Sequence, residues 1–348
     1  MTGKELIINY ESLMDSMLKC QRGVRWKPSV KNYIINAPSE VLRLTDALNN
    51  GSWQNSDPIK IVIPYPKRRE GLSIPFKDRV YQRSINDNVL YPEMVKHFVI
   101  GNCACQKDRG TKFARDLVKK YLWRHYRNHG NSGYVLQIDI KGYYPNMQHR
   151  VVYDQFKRYL SSDVFDMVHD VLSHQYAGEV GYNPGSQMVQ IAGISVLNDI
   201  DHKIKECYGI KGYIRYMDDF LLIHESKEKL EEVLELITAD LCRLGFEPHP
   251  KKTTIKPISK GLTFLGFDYR ITDTGKILMF LNSQNVKHER RKLRRMVAKC
   301  KRGDITREKV DECYRSWRAH AAQGNSHNLL RRMDKFYEDL WKDDEVAA

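Results

Sequence analysis

Long apolar runs and a paired cysteine framework are both missing from this sequence. Nowhere in the 348 residues do about 18 apolar residues follow one another, so no membrane-spanning helix is predicted. The first residues lack the basic flank and apolar core of a secretory signal. The seven cysteines are scattered, without the spacing of a zinc site or a disulfide framework. We therefore expect a cytoplasmic protein that does not contact a membrane.

Acidic residues are in deficit. Asp and Glu number 43 against 57 Lys and Arg, which gives a net charge of +14, and 20 Tyr and five Trp accompany that charge. The hydrophobic content of 41% is enough to build a buried core, which excludes wholesale disorder. A basic and aromatic surplus on a folded protein favours a polyanionic partner, most simply nucleic acid.

Two stretches predict strands that end in carboxylates. Residues 134–140 read as a buried strand with Asp139 near its end, and residues 213–224 read as a hairpin with Asp218 and Asp219 at its turn. An isolated Asp pair is usually ordinary turn chemistry. Here apolar residues bracket the pair, and adjacent buried carboxylates require a cation. If both elements share one sheet, the three carboxylates can hold a pair of Mg²⁺ ions.

The remaining chain predicts helices around these strands. A helix over 39–48 would be capped by Ser39, and the strands Ile59–Ile63 and Leu72–Pro75 would flank a cationic turn suited to phosphate. An amphipathic helix over 230–244 would cover the sheet. From Ser283 the chain reads as helical and basic.

The stretches that carry these carboxylates resemble known motifs. Tyr216-Met217-Asp218-Asp219 resembles the YxDD motif of reverse transcriptases, and Asp139 to Tyr144 resembles their first catalytic motif. The similarity continues in chain order through Phe76–Gln82, Lys107–Thr111, Pro184–Gln190, Lys251–Thr253 and Phe264–Phe267. Within this family the sequence is most similar to the bacterial branch related to group II introns, above all to reverse transcriptases of diversity-generating retroelements. Defence-associated and retron-like enzymes are near neighbours.

The resemblance implies an α/β (α+β) fold, that of a right-hand polymerase with fingers, an RRM-like palm sheet and a helical thumb. N-terminal helices and fingers would occupy residues 1–130. The palm would occupy 131–282, with inserted fingers segments at about 145–190, and the basic thumb 283–348.

Catalytic and metal-binding roles follow from the same resemblance. The implied catalytic residues are Asp139, Asp218, Asp219 and Lys252. Lys252 would donate a proton to the departing pyrophosphate, with Lys251 as the alternative. The implied metal ligands are Asp139, Ile140, Asp218 and Asp219. The cofactor would be two Mg²⁺ ions, with Mn²⁺ as a substitute.

A second group of residues would contact the incoming nucleotide: Lys67, Arg69, Tyr143, Tyr144, Gly185 and Gln190. Cations of the fingers turn would grip the triphosphate, and the choice among Lys67, Arg68 and Arg69 stays open. Tyr144 stands where the family places a ring beneath the sugar, so a 2′-hydroxyl would collide with it. The alternatives are core packing for Tyr144 and helix capping for the loop that contains Gly185.

A third group would contact template and primer: Arg79, Arg109, Phe264, Leu265, Gly266, Arg290, Arg291, Arg294 and Arg295. Phe264–Phe267 resembles the primer-grip turn. Between Lys287 and Arg302 there are nine Lys or Arg against one Glu, which favours phosphate contacts over a merely solvated helix face.

These features predict RNA-directed DNA synthesis in a bacterial or phage retroelement that diversifies a target gene. The partners would be an RNA template, a DNA or RNA primer, dNTPs, a cognate structured RNA and an accessory protein. One alternative is an antiphage reverse transcriptase that copies a non-coding RNA or works without a template. Another is a non-catalytic RNA-binding relic. An RNA-dependent RNA polymerase is disfavoured, because its sugar pocket should accept a 2′-hydroxyl.

Overall fold

The computed structural model describes residues 2–64, 68–183 and 185–342. Contacts divide the chain into two compact units. The first contains the described residues of Met1–Ala114, Gln137–Leu221 and Glu231–Thr253, and the second those of Arg115–Leu136, Leu222–Leu230 and Thr254–Ala348. The predicted boundaries of fingers, palm and thumb stay predictions, because a division into two compact units does not identify polymerase subdomains.

Four helices open the chain: α1 (Gly3–Ile8), α2 (Tyr10–Cys20), α3 (Pro28–Ile35) and α4 (Ala37–Asn49). In α4 the buried residues Val41, Leu44 and Leu48 follow the predicted helical spacing. The predicted Ser39 cap is wrong, since Asn36 precedes the helix and Ser39 lies inside it. Pro38 explains the earlier start, because its fixed φ and missing N–H suit the first turn of a helix.

A two-stranded ribbon and a helical run follow. Strand β1 (Ile59–Ile63) has the predicted bounds and pairs antiparallel with β2 (Arg69–Ser73). The second strand therefore starts three residues before the predicted Leu72 and ends before Pro75. The helices that follow are α5 (Phe76–Ile85), α6 (Tyr91–Val95) and α7 (Thr111–His129), with a π-helical turn at Asn86–Leu90.

The central sheet has four strands in the order β4-β5-β3-β6. They are β3 (Tyr134–Asp139), β4 (Gly212–Tyr216), β5 (Asp219–His224) and β6 (Thr254–Pro257). Five helices surround them in sequence: α8 (His149–Tyr159), α9 (Ser162–Gln175), α10 (Gln187–Ser195), α11 (Asn198–His202) and α12 (Lys227–Arg243). Because β3 and β5 are neighbours, Asp139 and the β4–β5 turn belong to one sheet, as predicted.

The C-terminal part combines a small sheet with three helices. Strands β7 (Leu262–Phe264), β8 (Phe267–Ile271) and β9 (Ile277–Leu281) are antiparallel, and α13 (Ser283–Lys301), α14 (Arg307–Ala321) and α15 (His327–Asp339) follow. The helices share a core that includes Leu293, Val310, Trp317 and Met333. The expected mixed fold is confirmed. Within the described ranges, no helix is long and apolar enough to cross a bilayer.

The loop between α14 and α15 depends on one glycine. A Cβ at Gly324 would lie 2.7 Å from the carbonyl oxygen of Met279 and 3.1 Å from the ring of Phe267. Gly324→Ala should therefore lower the free energy of unfolding by roughly 1–3 kcal/mol, because the backbone oxygen cannot move aside cheaply. Urea unfolding measures the loss.

Gly110→Ala is the control, since no atom lies within 4 Å of a Cβ there. Equal stability of the two variants would show that the loop does not press against β9.

Candidate active site

The β4–β5 hairpin carries two of the three predicted carboxylates at a tight turn. Met217 adopts φ +56°, a left-handed conformation that is unfavourable for a residue with a side chain. Asp218 follows it in the turn, and Asp219 begins β5. Such a turn persists only when surrounding contacts hold it.

Arg215 supplies those contacts from below the turn. Its side chain is fully buried, and its guanidinium donates to the carbonyls of Met217 at 2.8 Å and Ile194 at 2.9 Å. It also donates to both carboxylate oxygens of Asp201, at 2.6 and 2.5 Å, and the Tyr213 hydroxyl donates to the same carboxylate. Burial alone would lower the pKa of Arg215, but the charge of Asp201 and the hydrogen bonds to it, with smaller contributions from Tyr213 and Tyr143, together outweigh burial, and the net pKa is raised. Arg215 therefore stays charged and fixes the turn.

Asp139 ends β3 and is paired with Lys252. The Lys252 ammonium lies 2.9 Å from each carboxylate oxygen of Asp139. The approach is set by backbone contacts, because the His249 N–H donates to the Asp139 carbonyl at 2.6 Å and Ile140 bridges to Pro248. Of the two candidate lysines, the structure thus brings Lys252 to the carboxylates.

The three carboxylates are short of positive charge. Burial raises the pKa of Asp219 to about 7, with further contributions from Asp218 and Asp139. Burial also raises the pKa of Asp218, whereas the hydrogen bond to Asp139 raises the pKa of Lys252. One lysine therefore does not neutralise three carboxylates. The cluster requires further positive charge, such as a bound metal ion.

The donor chemistry of this cluster fits a divalent metal ion. Carboxylate and carbonyl oxygens are the ligands that Mg²⁺ prefers. Among residues 2–64, 68–183 and 185–342, however, no three His, Cys, Asp or Glu side chains stand together in a metal-ligating arrangement. The Asp139 carboxylate is paired with the Lys252 ammonium, which an ion bound to both carboxylate oxygens would have to replace.

The two tyrosines after Asp139 face different surroundings. Tyr143 is 4% exposed and its hydroxyl donates to the Gly193 carbonyl, which leaves only its backbone for a nucleotide. Tyr144 is less buried, and burial raises the pKa of its hydroxyl. A Cβ at Gly193 would lie 2.9 Å from the Tyr144 Oη and 3.4 Å from Cε of Met217. The missing side chain of Gly193 therefore allows Tyr144 to lie beside the turn that carries Asp218.

The loop before α10 is a helix cap, as the alternative interpretation predicted. Ser186 accepts a hydrogen bond from the Val189 N–H at 3.1 Å. Gly185 is exposed, and Gln190 is half-buried in the first turns of the helix. A nucleotide contact by Gly185 or Gln190 is compatible with this capping and stays a prediction.

Of the cations predicted for the fingers, some lie within the described residues and others do not. Lys67 lies outside the described residues, and only the backbone of Arg69 is described. Arg79 lines a cavity in the first unit. Arg109 is half-buried and donates to the Val99 carbonyl at 3.3 Å and to Gln106 at 3.1 Å, which closes its own loop. The Arg109 head is thus partly engaged within the protein.

The predicted primer-grip turn joins β7 and β8. Leu265 and Gly266 both have positive φ, +48° and +81°, as a two-residue hairpin turn requires. Phe264 is buried, whereas Leu265 is half-buried and Gly266 exposed. Contact with a primer stays a prediction for all three.

The four predicted thumb arginines divide into two pairs. The guanidinium groups of Arg290 and Arg294 lie 5.2 Å from the ring centre of Phe336 on α15. Arg291 and Arg295 are exposed on α13 without an acidic partner among the described residues. The second pair is therefore better placed to reach phosphates.

Arg215, Asp201 and Gly193 were not identified from the sequence. A signal for Arg215 was present, because a lone charge inside an apolar strand requires a buried partner. Nothing in the sequence identifies Asp201 as that partner.

The arrangement was compared with known proteins. Residues 69–269 match the family described as reverse transcriptase (RNA-dependent DNA polymerase). Telomerase from Candida albicans, solved with a TWJ fragment of telomeric RNA, is 12% identical with a TM-score of 0.51 over 75% of this chain and 55% of its own. Apo telomerase from Candida tropicalis is 14% identical with a TM-score of 0.49 over 64% and 48%.

This chain thus spans about half the length of those telomerase chains. At such identities the likeness shows the fold alone. A search of the curated proteins found no match.

The contribution of the buried Arg215–Asp201 ion pair can be measured as a change in the free energy of unfolding. Arg215→Gln should lower the free energy of unfolding by roughly 3–5 kcal/mol, because it leaves the Asp201 charge buried and unpaired. Urea unfolding at neutral pH measures it. Arg270→Gln, on the exposed face of β8, is the control and should stay within about 0.5 kcal/mol of the parent.

Removing both charges supplies a further check. Arg215→Met combined with Asp201→Leu should recover part of the lost stability, because neither charge is then stranded. A double variant as unstable as Arg215→Gln would show that the damage is not the stranded charge.

Proposed function

Because the chain belongs to the reverse transcriptase family, we propose that it is an RNA-directed DNA polymerase that extends a primer on an RNA template. The observation that carries the proposal is the cluster of Asp139, Asp218 and Asp219 in one sheet, with the pKa of Asp219 raised to about 7. A protein that only bound RNA would gain nothing from holding three partly buried anions together. Retention of all three supports catalysis over a non-catalytic relic.

Asp139, Asp218 and Asp219, with the carbonyl of Ile140, would hold the two divalent ions, Mg²⁺ or its substitute Mn²⁺. When bound, such ions supply activation of a hydroxyl nucleophile and neutralisation of phosphate charge. The shortage of positive charge at the carboxylates supports this assignment.

Lys252 has a second role in the proposal. Its ammonium neutralises Asp139 in the structure and is kept protonated by that contact. With a divalent ion held by the carboxylates, the Lys252 ammonium would be free to face the reacting phosphates. The side chain is 59% exposed and can reorient. We assign it the proton donated to the departing pyrophosphate.

Tyr144 would select the sugar. Its ring lies beside the catalytic turn, because Gly193 leaves room for the hydroxyl. A ribose 2′-hydroxyl above this ring would collide with it, and a deoxyribose would not. The close approach at Gly193 supports sugar selection, since a rigidly placed ring excludes better than a mobile one.

For the biological role we propose a bacterial or phage retroelement that diversifies a target gene, with a cognate structured RNA and an accessory protein. The sequence resemblance alone supports this. Sequencing the nucleic acid that copurifies with the protein decides it. Adenine-specific copying errors would support diversification, whereas repetitive or template-independent DNA would support the defence alternative.

Polymerase activity depends on the carboxylates in this proposal. Asp218→Asn should reduce primer extension on an RNA template by at least about 100-fold, because it removes a metal-ligating charge without removing volume. Asp268→Asn, on β8, is the control. Primer extension with dNTPs and Mg²⁺ is the measurement, and activity of Asp218→Asn within about tenfold of the parent would reject the assignment.

Sugar selection can be measured separately. Tyr144→Ala should raise ribonucleotide relative to deoxynucleotide incorporation by roughly tenfold or more, because the colliding ring is gone. Competition between the two nucleotides on one primer gives the ratio. Tyr144→Phe keeps the ring and should keep the parent ratio. An unchanged ratio in an active Tyr144→Ala enzyme would return Tyr144 to a packing role.

A further inference from the structure

The second unit contains a groove between the N-terminal ends of α13 and α15, beside strand β9. Two adjoining cavities form it, of about 390 and 670 Å³, and both lie within the range of about 300–1,000 Å³ that is typical of ligand pockets. We call this surface the α13–α15 groove. The residues that line both cavities are Phe280, Asn325, Ser326, Leu329 and Arg332.

Apolar side chains form much of the α13–α15 groove. Phe280 on β9 is 38% exposed, and the half-buried Val286 and Leu329 project from the two helices. Leu281 lines the same cavity from the end of β9. Apolar groups that line a concave surface favour an apolar ligand, because covering them releases water.

Three cations lie along the same groove: Lys287, Arg290 and Arg332. None of the described lining residues is acidic. The Arg290 guanidinium lies 5.2 Å from the ring centre of Phe336, and Arg332 donates to the Asn328 carbonyl at 3.3 Å. Within the described part of the chain, none of the three cations forms an ion pair. Positive charge without an acidic partner favours an anionic ligand.

Hydrogen-bond donors without acceptors add to this charge at the start of α15. Ser326 precedes the helix, yet its hydroxyl forms no capping bond, and the first turn has no acidic residue. Ser326 is 4% exposed, and its Oγ has no hydrogen-bond partner. The Asn325 amide oxygen accepts from the Met279 N–H at 2.8 Å, which leaves the amide nitrogen as a further donor. Such donors at a helix N-terminus favour an anion that accepts from them.

The α13–α15 groove faces a different direction from the exposed cations predicted to contact template and primer. Successive residues of a helix are about 100° apart, so Arg291 and Arg295 lie about 110° around α13 from the centre of its groove-lining residues. A duplex held by Arg291 and Arg295 would therefore leave the groove accessible to a second ligand.

We propose that the α13–α15 groove binds a segment of a partner protein in which an acidic residue adjoins apolar ones. The carboxylate binds Ser326 and Arg332 at the start of α15, and the adjoining apolar side chains pack on Phe280 and Leu329. A peptide supplies both chemistries on neighbouring residues. A nucleic-acid strand supplies the charge, but it would place phosphates and sugars against the aliphatic side chains. The inference goes beyond the proposed polymerase function and does not depend on it.

Selection from a random dodecapeptide library displayed on phage tests this site. A net charge of +14 attracts acidic peptides to any part of the surface, so the library is first depleted on immobilised Arg332→Glu protein and then selected on the parent. The enriched peptides should carry Asp or Glu next to Leu, Ile or Phe. Enriched peptides without an acidic residue, or no enrichment over the depleted library, would overturn the proposal.

The anisotropy of an enriched peptide labelled with fluorescein then measures each contact. Arg332→Glu should raise the Kd at least about tenfold, because the two carboxylates repel each other. Ser326→Ala should raise it roughly 2- to 12-fold, the usual contribution of one hydrogen bond. Phe280→Ala should raise it at least about fivefold through lost apolar contact. A peptide with Lys in place of its acidic residue should bind Arg332→Glu more tightly than the parent, because the charges are exchanged.

Matched variants control for charge and for exposed rings. Arg331 is the exposed neighbour of Arg332 on α15 and lines neither cavity, so Arg331→Glu makes the same charge change outside the groove. Trp123→Ala removes a ring that is 50% exposed on α7. Circular dichroism and urea unfolding confirm that each variant is folded. Equal weakening by Arg331→Glu and Arg332→Glu would show general charge attraction and overturn the groove as the site.

Competition with single-stranded RNA separates a peptide ligand from a nucleic-acid ligand. RNA that displaces the peptide from the parent, and that binds Arg332→Glu much more weakly than Arg331→Glu, would overturn the proposal in favour of a nucleic-acid contact. A peptide that RNA does not displace and that depends on Arg332, Ser326 and Phe280 would support the proposal, whatever the result of the primer-extension assay.

Discussion

The turn that carries Asp218 depends on one buried ion pair. Arg215 and Asp201 are both removed from solvent, a transfer that is unfavourable by several kcal/mol per ion unless every donor finds an acceptor. The Arg215 guanidinium donates to both carboxylate oxygens of Asp201, and the carbonyls of Ile194 and Met217 accept its other hydrogen bonds. The hydrogen bond from Arg215 to the Met217 carbonyl holds a residue with positive φ. The buried guanidinium of Arg215 therefore fixes the position of Asp218, the next residue in the turn.

Helices α10 and α11 connect the Arg215–Asp201 ion pair with other parts of the site. Ile194 accepts from Arg215, its neighbour Gly193 admits the Tyr144 hydroxyl, and Asp201 lies on the next helix. Metal ligation and sugar selection are thus proposed for groups that one helical segment holds together, and a shift of that segment would alter both.

Features that depend on a few neighbouring residues could be predicted from the sequence, whereas contacts between distant residues could not. Local periodicity predicted β1 with its observed bounds and the hairpin around Asp218, because alternation and turn chemistry act over a few residues. The Ser39 cap failed for a local reason, the competing preference of Pro38 for the first helical turn. Asp201, the partner of Arg215, could not be predicted, since the contact joins α11 to β4 and forms only in the folded chain. Likewise, backbone pairing along β3, and not sequence, distinguishes Lys252 from Lys251.

Charge on this protein acts with opposite signs at long and short range. The net charge of +14 attracts polyanions, and exposed cations such as Arg291 and Arg22 continue that attraction at the surface. At the candidate site three carboxylates lie together, and the Lys252 ammonium pairs with one of them, Asp139. A triphosphate would be repelled there unless further cations intervene, because both partners are negative. In the proposed function, the positive surface would attract nucleic acid, and divalent ions would then be needed for a triphosphate to approach the carboxylates.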